Sequence, residues 1–340
     1  MARWFALVLL ILIPEAACAV DGELIVLNKS GASASILDLA TGEEIARLDV
    51  GVGPHEVAVS PDGDTAVVAN YGDRNPGNTL TVIDLVERVV TATIDLGDNP
   101  RPHGILFVGP STVLVTTEDS QKLLAVDVER GAILTEMETG GRVGHMVAVS
   151  RDAKRAFVPH MYSDNLAVLD LESGERIDLV DLDSQPEGID ARPGTDEIWI
   201  TNRGSNSVQV LDAASLAVLA RIECGEFPIR LKFTPDGRHA LVSNARSGDV
   251  VVIDASGREQ IARIDMLAET VADKDERLFG EQFGDSPTPV GIVVHPEGTH
   301  AYVANTNADV ISVIDLQRME LVDRLIAGEE PDGMAWAPSR

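Results

Sequence analysis

The sequence predicts an all-β chain folded as a seven-bladed β-propeller of four-stranded blades. Its N-terminal strands would close the ring by pairing with the C-terminal strand. Three observations carry this reading. One pattern recurs seven times; each copy alternates apolar and polar residues over short runs separated by Gly, Asn and Asp; and the last copy stops after a single strand. A unit of about 40–45 residues with four strands cannot bury both faces alone, whereas such units packed radially around an axis can.

The elements follow in chain order. Residues 1–19 carry Arg3, an apolar run from Trp4 to Ile13 and the small-residue end Ala17-Cys18-Ala19. That is the layout of a secretory signal peptide cut after Ala19, so the expected location is periplasmic or secreted. The apolar run is too short to cross a bilayer comfortably, and no later segment approaches the length of a membrane span. Cys224 is then the one cysteine left, which excludes an internal disulfide. The run GELIVLNKSGASASILDLATGEEIARLDV supplies strands two, three and four of the split blade. Units start near Gly51, Gly97, Gly140, Asp183, Gly225, Asp285 and Gly328. Each reads Gly, a few residues, Pro (or Gly), an apolar strand, a Pro-Asp-Gly-like turn, a second strand ending mostly in Asn, and a third ending in V-x-V-I-D or a variant. Asn at that position is expected to satisfy backbone groups of the following turn. Between blades five and six the chain carries an insertion at 267–287, whose charges and Phe279 and Phe283 suggest either a short helix serving as a lid or a plain surface excursion.

Charge and composition exclude other classes. Lys+Arg 27 against Asp+Glu 55 gives a formal net charge of -28, which opposes binding to nucleic acid or anionic membrane. Such a surface favours cationic ligands or metal ions, or simply keeps the protein soluble. A 44% hydrophobic content argues against disorder. No G-x-S-x-G, P-loop or C-x-x-C-H motif is present.

Ala-Tyr-Val-Ala-Asn at 301–305, the V-I-D runs ending at Asp84, Asp254 and Asp315, and Ser-Pro-Asp-Gly at 60–63 resemble the YVTN-type β-propeller repeat. The resemblance covers essentially residues 21–340. It implies an extracytoplasmic seven-bladed ring, and similar propellers include binding proteins, lactonase-like and lyase-like enzymes and the cytochrome d1-like, haem-carrying domain of nitrite reductases.

Departures from the repeat point to a site. The residue after the Pro or Gly that opens strand one reads, blade by blade, His55, His103, His145, Glu187, Ile229, Val290 and Asp332. Because the ring closes, Asp332 neighbours His55, so five consecutive blades present Asp, His, His, His and Glu. Three imidazoles with a carboxylate suit a divalent transition metal such as Zn, Fe, Mn or Cu. The expected ligands are His55, His103, His145 and Glu187. The alternative is that these histidines plug a wet channel mouth through ordered water. The last residue of strand two is Asn in five blades, Thr117 in blade two and His160 in blade three. His160, Glu118 and Arg203 are the expected acid–base groups, with His160 also a contender as a ligand. Arg230, Arg246, Asp332 and Phe283 are expected to bind substrate, with Glu56 near the same face. His239, His295 and His300 sit beside the turns of the other face and are expected at the surface. Cys224, Trp199, Tyr302 and Trp336 read as packing residues.

Three functions fit this pattern. The first is a metal-dependent lyase, lactonase or isomerase acting on a small organic molecule at the channel mouth. The second is a non-catalytic propeller that binds a metal, a small molecule or a protein partner. The third, implied by the resemblance to haem-carrying propellers, is a His-ligated tetrapyrrole carrier, which the scarcity of aromatic residues (4%) disfavours.

Overall fold

The computed structural model describes residues 20–277 and 280–340, leaving the expected signal peptide and Phe279 outside the described residues. Among these residues the chain forms seven four-stranded antiparallel sheets. Blade one runs through Pro54–Val59, Thr65–Gly72, Pro76–Asp84 and Val89–Asp95, and five further blades repeat that order. The seventh is composite: Pro331–Ala337 pairs with Glu23–Asn28, which continues into Ser33–Asp38 and Glu44–Asp49. The ring therefore closes as the repeat predicts. No helix among the described residues is long and apolar enough to cross a membrane.

Burial explains why these residues form these strands. Strands two and three meet neighbouring blades on both faces, so Glu23–Asn28 is buried along its whole length. Strand four faces solvent, and Val218–Glu223 is largely exposed. Each apolar cluster joins adjacent blades; Val67 and Leu80 of blade one pack with Val113, Val115 and Leu124 of blade two. The aspartate of V-I-D is a turn residue. Asp84 Oδ1 accepts the backbone N–H of Val86 and of Glu87, each at 2.9 Å, and Asp127, Asp170, Asp212 and Asp315 do the same in their blades.

The asparagine ending strand two acts differently from expectation. Asn28 Oδ1 accepts the N–H of Gly328, the residue opening its blade, at 2.9 Å. Its amide donates to Ser33 and Ser35 in strand three. Asn70 repeats this with Gly51, Thr79 and Thr81. The side chain thus clamps the blade's opening to its third strand. In blade three His160 takes this place: its Nδ1 pairs with Asn165 Oδ1 at 2.7 Å, and a Cβ on Gly141 would lie 2.3 Å from its ring.

The innermost strands approach one another closely. In four blades the ring residue is followed by a glycine (Gly104, Gly188, Gly291 and Gly333) that makes room: a Cβ on Gly333 would sit 2.2 Å from the carbonyl oxygen of His55 in the next blade. Hydroxyls add to the contact, with Thr116 donating to His145 O at 2.7 Å and Ser243 to Val290 O at 2.7 Å. In blade three the first strand is reduced to Ala148–Val149, opposite a second strand in which Pro159 lacks an N–H.

A second repeated constraint lies at the rim. Arg101, Val143, Gln185, Phe227, Thr288 and Glu330, each just before the residue that opens strand one, have φ between 53° and 61°. A left-handed conformation at such residues costs about 1–2 kcal/mol each. Each carbonyl gains a partner in the loop after strand two, as in Glu118 N–H to Arg101 O at 3.1 Å and Met161 N–H to Val143 O at 3.0 Å. This staple sets both loops around the channel mouth.

The other-face histidines differ from expectation. His239 and His300 are half-buried, but His295 is buried, with Nε2 2.7 Å from Asp21 O and its ring 5.6 Å from Trp336. The closing of the ring brings the N-terminal segment over it. Cys224 is half-buried against the apolar cluster of Trp199 and Phe233. Trp199 and Tyr302 are buried in clusters that span adjacent blades.

Gly333→Ala should lower stability by on the order of 1–3 kcal/mol in chemical denaturation, because the new methyl overpacks against the His55 carbonyl. An unchanged midpoint would mean that the inner strands separate freely.

Candidate functional site

The ring residues meet at one end of the channel. The imidazoles of His55 and His103 lie 4.1 Å apart between centroids, and those of His103 and His145 lie 3.6 Å apart. Carboxylates flank this stack. His55 Nδ1 is 2.8 Å from Asp332 Oδ2, and His145 Nδ1–H donates to Glu118 Oε1 at 2.7 Å. His145 Nε2 lies 3.3 Å from Glu187 Oε1. Lys29 Nζ donates to His55 Nε2 at 3.1 Å, which leaves the proton on Nδ1, 2.8 Å from Asp332 Oδ2 but not aligned as a hydrogen bond, and turns Nε2 outward.

Burial and pairing set the charges. His103 is wholly buried, and desolvation followed by the neighbouring His145 and His55 pushes its pKa far down, leaving it neutral. Burial also opposes charge on His145, but Glu118 and Glu187 outweigh it and raise the pKa. Burial would raise Glu187, yet Arg203 and His145 hold it at about 2. Asp332 is likewise held below the usual carboxylate range against its desolvation, by His55 and Lys29. Glu118 is lowered despite burial through hydrogen bonds from His145 and from the Tyr71 hydroxyl, which donates at 2.6 Å.

Above the stack opens a cavity of about 390 Å³. It is lined by polar groups including Lys29, Tyr71, Arg101, Glu118, Arg203 and Arg230, and by the apolar Val143, Met161, Ile229 and Val290. Arg203 Nη1 donates to Glu187 Oε2 at 2.7 Å, and Arg230 donates through Nε to Glu56 Oε1 at 3.0 Å. Arg230 closes the floor, since it also lines a separate cavity of about 210 Å³ further along the channel.

Of the residues expected at the site, His55, His145, Glu118, Glu187, Arg203, Arg230 and Asp332 line this cavity, and His103 lies sealed beneath it. The structure does not bring the other three to the wall. His160 is buried in the clamp that replaces asparagine, and burial holds its pKa down to about 4. Phe283 is buried in a cluster with Phe227, Ile229, Ala245 and Val290, behind the aliphatic part of the ring. Arg246 is exposed and lies over the rings of Phe227 and Phe283, 5.3 and 5.4 Å from their centroids. The insertion forms two 3-10 turns, Lys274–Glu276 and Gly280–Phe283, where a short helix was expected. Arg277 anchors it to Asp309 and to Thr306 O.

Sequence reasoning missed Lys29, Tyr71 and Arg101. Lys29, Tyr71, Glu118, Met161 and Arg203 are successive members of one further ring, the residue after the clamp position, of which only Glu118 and Arg203 were singled out. Arg101 belongs to the left-handed rim; its guanidinium lies 4.7 Å from the Tyr71 ring centroid.

Comparison with known proteins bears on this arrangement. The family model of the cytochrome D1 heme domain matches residues 114–272. Protein NirF of Stutzerimonas stutzeri is 24% identical over 98 residues, which are 28% of this chain and 25% of that protein, so the match spans a quarter of the relative's length. Among solved structures, hydrazine synthase of Kuenenia stuttgartiensis superposes with a TM-score of 0.70 at 18% identity, covering 86% of this chain and 92% of that one. The dihydro-heme d1 dehydrogenase NirN, in complex with DHE, gives 0.67 at 16% identity, covering 92% and 75%. A functionally unknown protein from Desulfotomaculum acetoxidans gives 0.75 at 13% identity, covering 94% and 100%. The structural likenesses establish the propeller fold, and within it residues 114–272 are similar to the cytochrome D1 heme domain.

Glu187→Gln should lower the melting temperature at neutral pH. A depressed carboxylate stabilises above its unfolded value of about 4.3, and that contribution fades as pH falls through the folded value of about 2. The gap between variant and parent should therefore shrink towards pH 2. A gap independent of pH would show that the Glu187 charge contributes nothing.

Proposed function

We propose that this chain is an extracytoplasmic propeller that holds an iron tetrapyrrole of the haem d1 class, or a precursor of one, over the channel mouth. One observation carries the reading: His55 has Nδ1 against the buried Asp332 while Nε2 points outward, where its partner is the side chain of Lys29. A carboxylate behind an imidazole fixes its tautomer and raises its basicity towards a metal in front.

The surroundings fit such a ligand. Lys29, Arg101 and Arg203 offer cations to peripheral carboxylates, although the chain as a whole carries -28. Val143, Met161, Ile229 and Val290 offer apolar wall, and two of the chain's 3 tyrosines, Tyr71 and Tyr162, line the same cavity. The scarcity of aromatics that disfavoured this reading in the sequence is offset by where they gather. The match to the cytochrome D1 heme domain and the fold shared with a dihydro-heme d1 dehydrogenase support the same class of ligand. When bound, the iron would supply redox or Lewis-acid chemistry; beside it the Tyr71 hydroxyl keeps its proton, because burial and the adjacent Glu118 raise its pKa, and donates it to Glu118 at 2.6 Å. A lyase, lactonase or isomerase reaction at one bare ion shared by His55, His103, His145 and Glu187 has less support. Glu187 is engaged by Arg203, and the ligand atoms that converge are those of His103, Glu118 and His145, without His55.

Titration of the purified chain with haem d1 and with ferric protoporphyrin haem tests the proposal. Saturable one-to-one binding with a shifted visible spectrum is expected for haem d1. His55→Ala should alter the ligation spectrum, and Lys29→Ala or Arg203→Ala should each weaken binding by about tenfold, as for loss of a charge-assisted hydrogen bond. No saturable binding of either macrocycle, or a spectrum unaffected by His55→Ala, would overturn the proposal.

A further inference from the structure

His103 has no role in the macrocycle reading, yet it is the most unusual side chain of the site. It is 0% exposed, and neither ring nitrogen has a hydrogen-bond partner. A buried imidazole without partners forfeits the interactions that normally offset its removal from water. His55 and His145 lie against it with their rings tilted by 54° and 37°, which leaves both nitrogens without a partner among the described residues.

The group around it has the chemistry of a cation site. One ligand atom each from His103, Glu118 and His145 lie within 4.8 Å of one another, and all three residues are buried. They come from blades two and three, on the opposite side of His103 from the His55–Asp332 pair. We infer that His103, Glu118 and His145 form a buried site for one divalent transition-metal ion at the base of the cavity, distinct from the His55 position. Two imidazoles and a carboxylate select zinc-like or cobalt-like ions over magnesium or calcium, which prefer an all-oxygen shell. Three protein ligands leave further positions of the ion for water or for a group reaching down from the cavity. Tyr71, whose hydroxyl donates to Glu118, is then a positioning residue that holds the carboxylate in place. The ligand set differs from the four ring residues expected from sequence by exchanging His55 and Glu187 for Glu118.

The test uses Co²⁺ as probe on the full chain after chelator treatment, followed by visible absorption and by metal content after gel filtration. One equivalent of Co²⁺ with the bands of a low-symmetry nitrogen–oxygen site is expected. His103→Ala and Glu118→Gln should each abolish it, Tyr71→Phe should weaken affinity by about 10- to 100-fold, and His55→Ala should retain it. Thermal melting identifies any variant that fails to fold, and His103→Gln then replaces His103→Ala. Absence of stoichiometric Co²⁺ in the parent chain, retention in a folded His103 or Glu118 variant, or equal loss in His55→Ala would overturn the inference. Failure here with haem d1 binding intact, or the reverse, separates the two proposals.

Discussion

Close approach of the innermost strands is the constraint on which the rest depends. At Gly333 a hydrogen stands where any other residue would drive a methyl into the carbonyl oxygen of His55. At Thr116 and Ser243 a hydroxyl caps the carbonyl of the ring residue one blade on. These contacts draw seven radial sheets inward until equivalent side chains from adjacent blades touch. The imidazole spacings of 3.6 and 4.1 Å follow from that inward packing. With larger residues at the glycine positions the same histidines would stand around a wider pore and share nothing.

The packing also dictates the electrostatics. The charged side chains at the channel mouth are buried or half-buried, so each needs a partner. Asp332, Glu118 and Glu187 answer His55, His145, Arg203 and Lys29, while Arg230 and Glu56 close the floor. The strained rim completes the design. Arg101 and Val143 adopt left-handed backbone so that their carbonyls can hold the loops carrying Glu118 and Met161. Stability spent at the rim is returned as a fixed mouth, the pattern expected where backbone strain collects at a binding site.

Much of this was legible from residues alone because blade equivalence is a sequence property. Once the repeats are aligned, His55, His103, His145, Glu187 and Asp332 fall at one position, and a closed ring makes them neighbours. Less legible were the side chains one step further out. Lys29 looks like an ordinary loop residue and Tyr71 like one more strand residue until the cavity is seen between them, and Arg101 becomes a rim residue only through its positive φ. His160 misled for a related reason: histidine at a position that is usually asparagine suggests chemistry, yet its contacts with Asn165 and Gly141 show it replacing the clamp. Phe283 and Arg246, expected to bind substrate, pack against Phe227, away from the cavity wall.

By itself the sequence determined the all-β class, the number of blades, the split blade that closes them and the clustering of imidazoles and carboxylates on consecutive blades. Those features are periodic, and periodicity is carried by residue order. Only the tertiary structure decided which nitrogen of each histidine meets an acid, which imidazole is sealed away and which cations ring the mouth. These depend on side-chain direction and on partners from blades far apart in the chain, such as Arg230 reaching Glu56 across the channel.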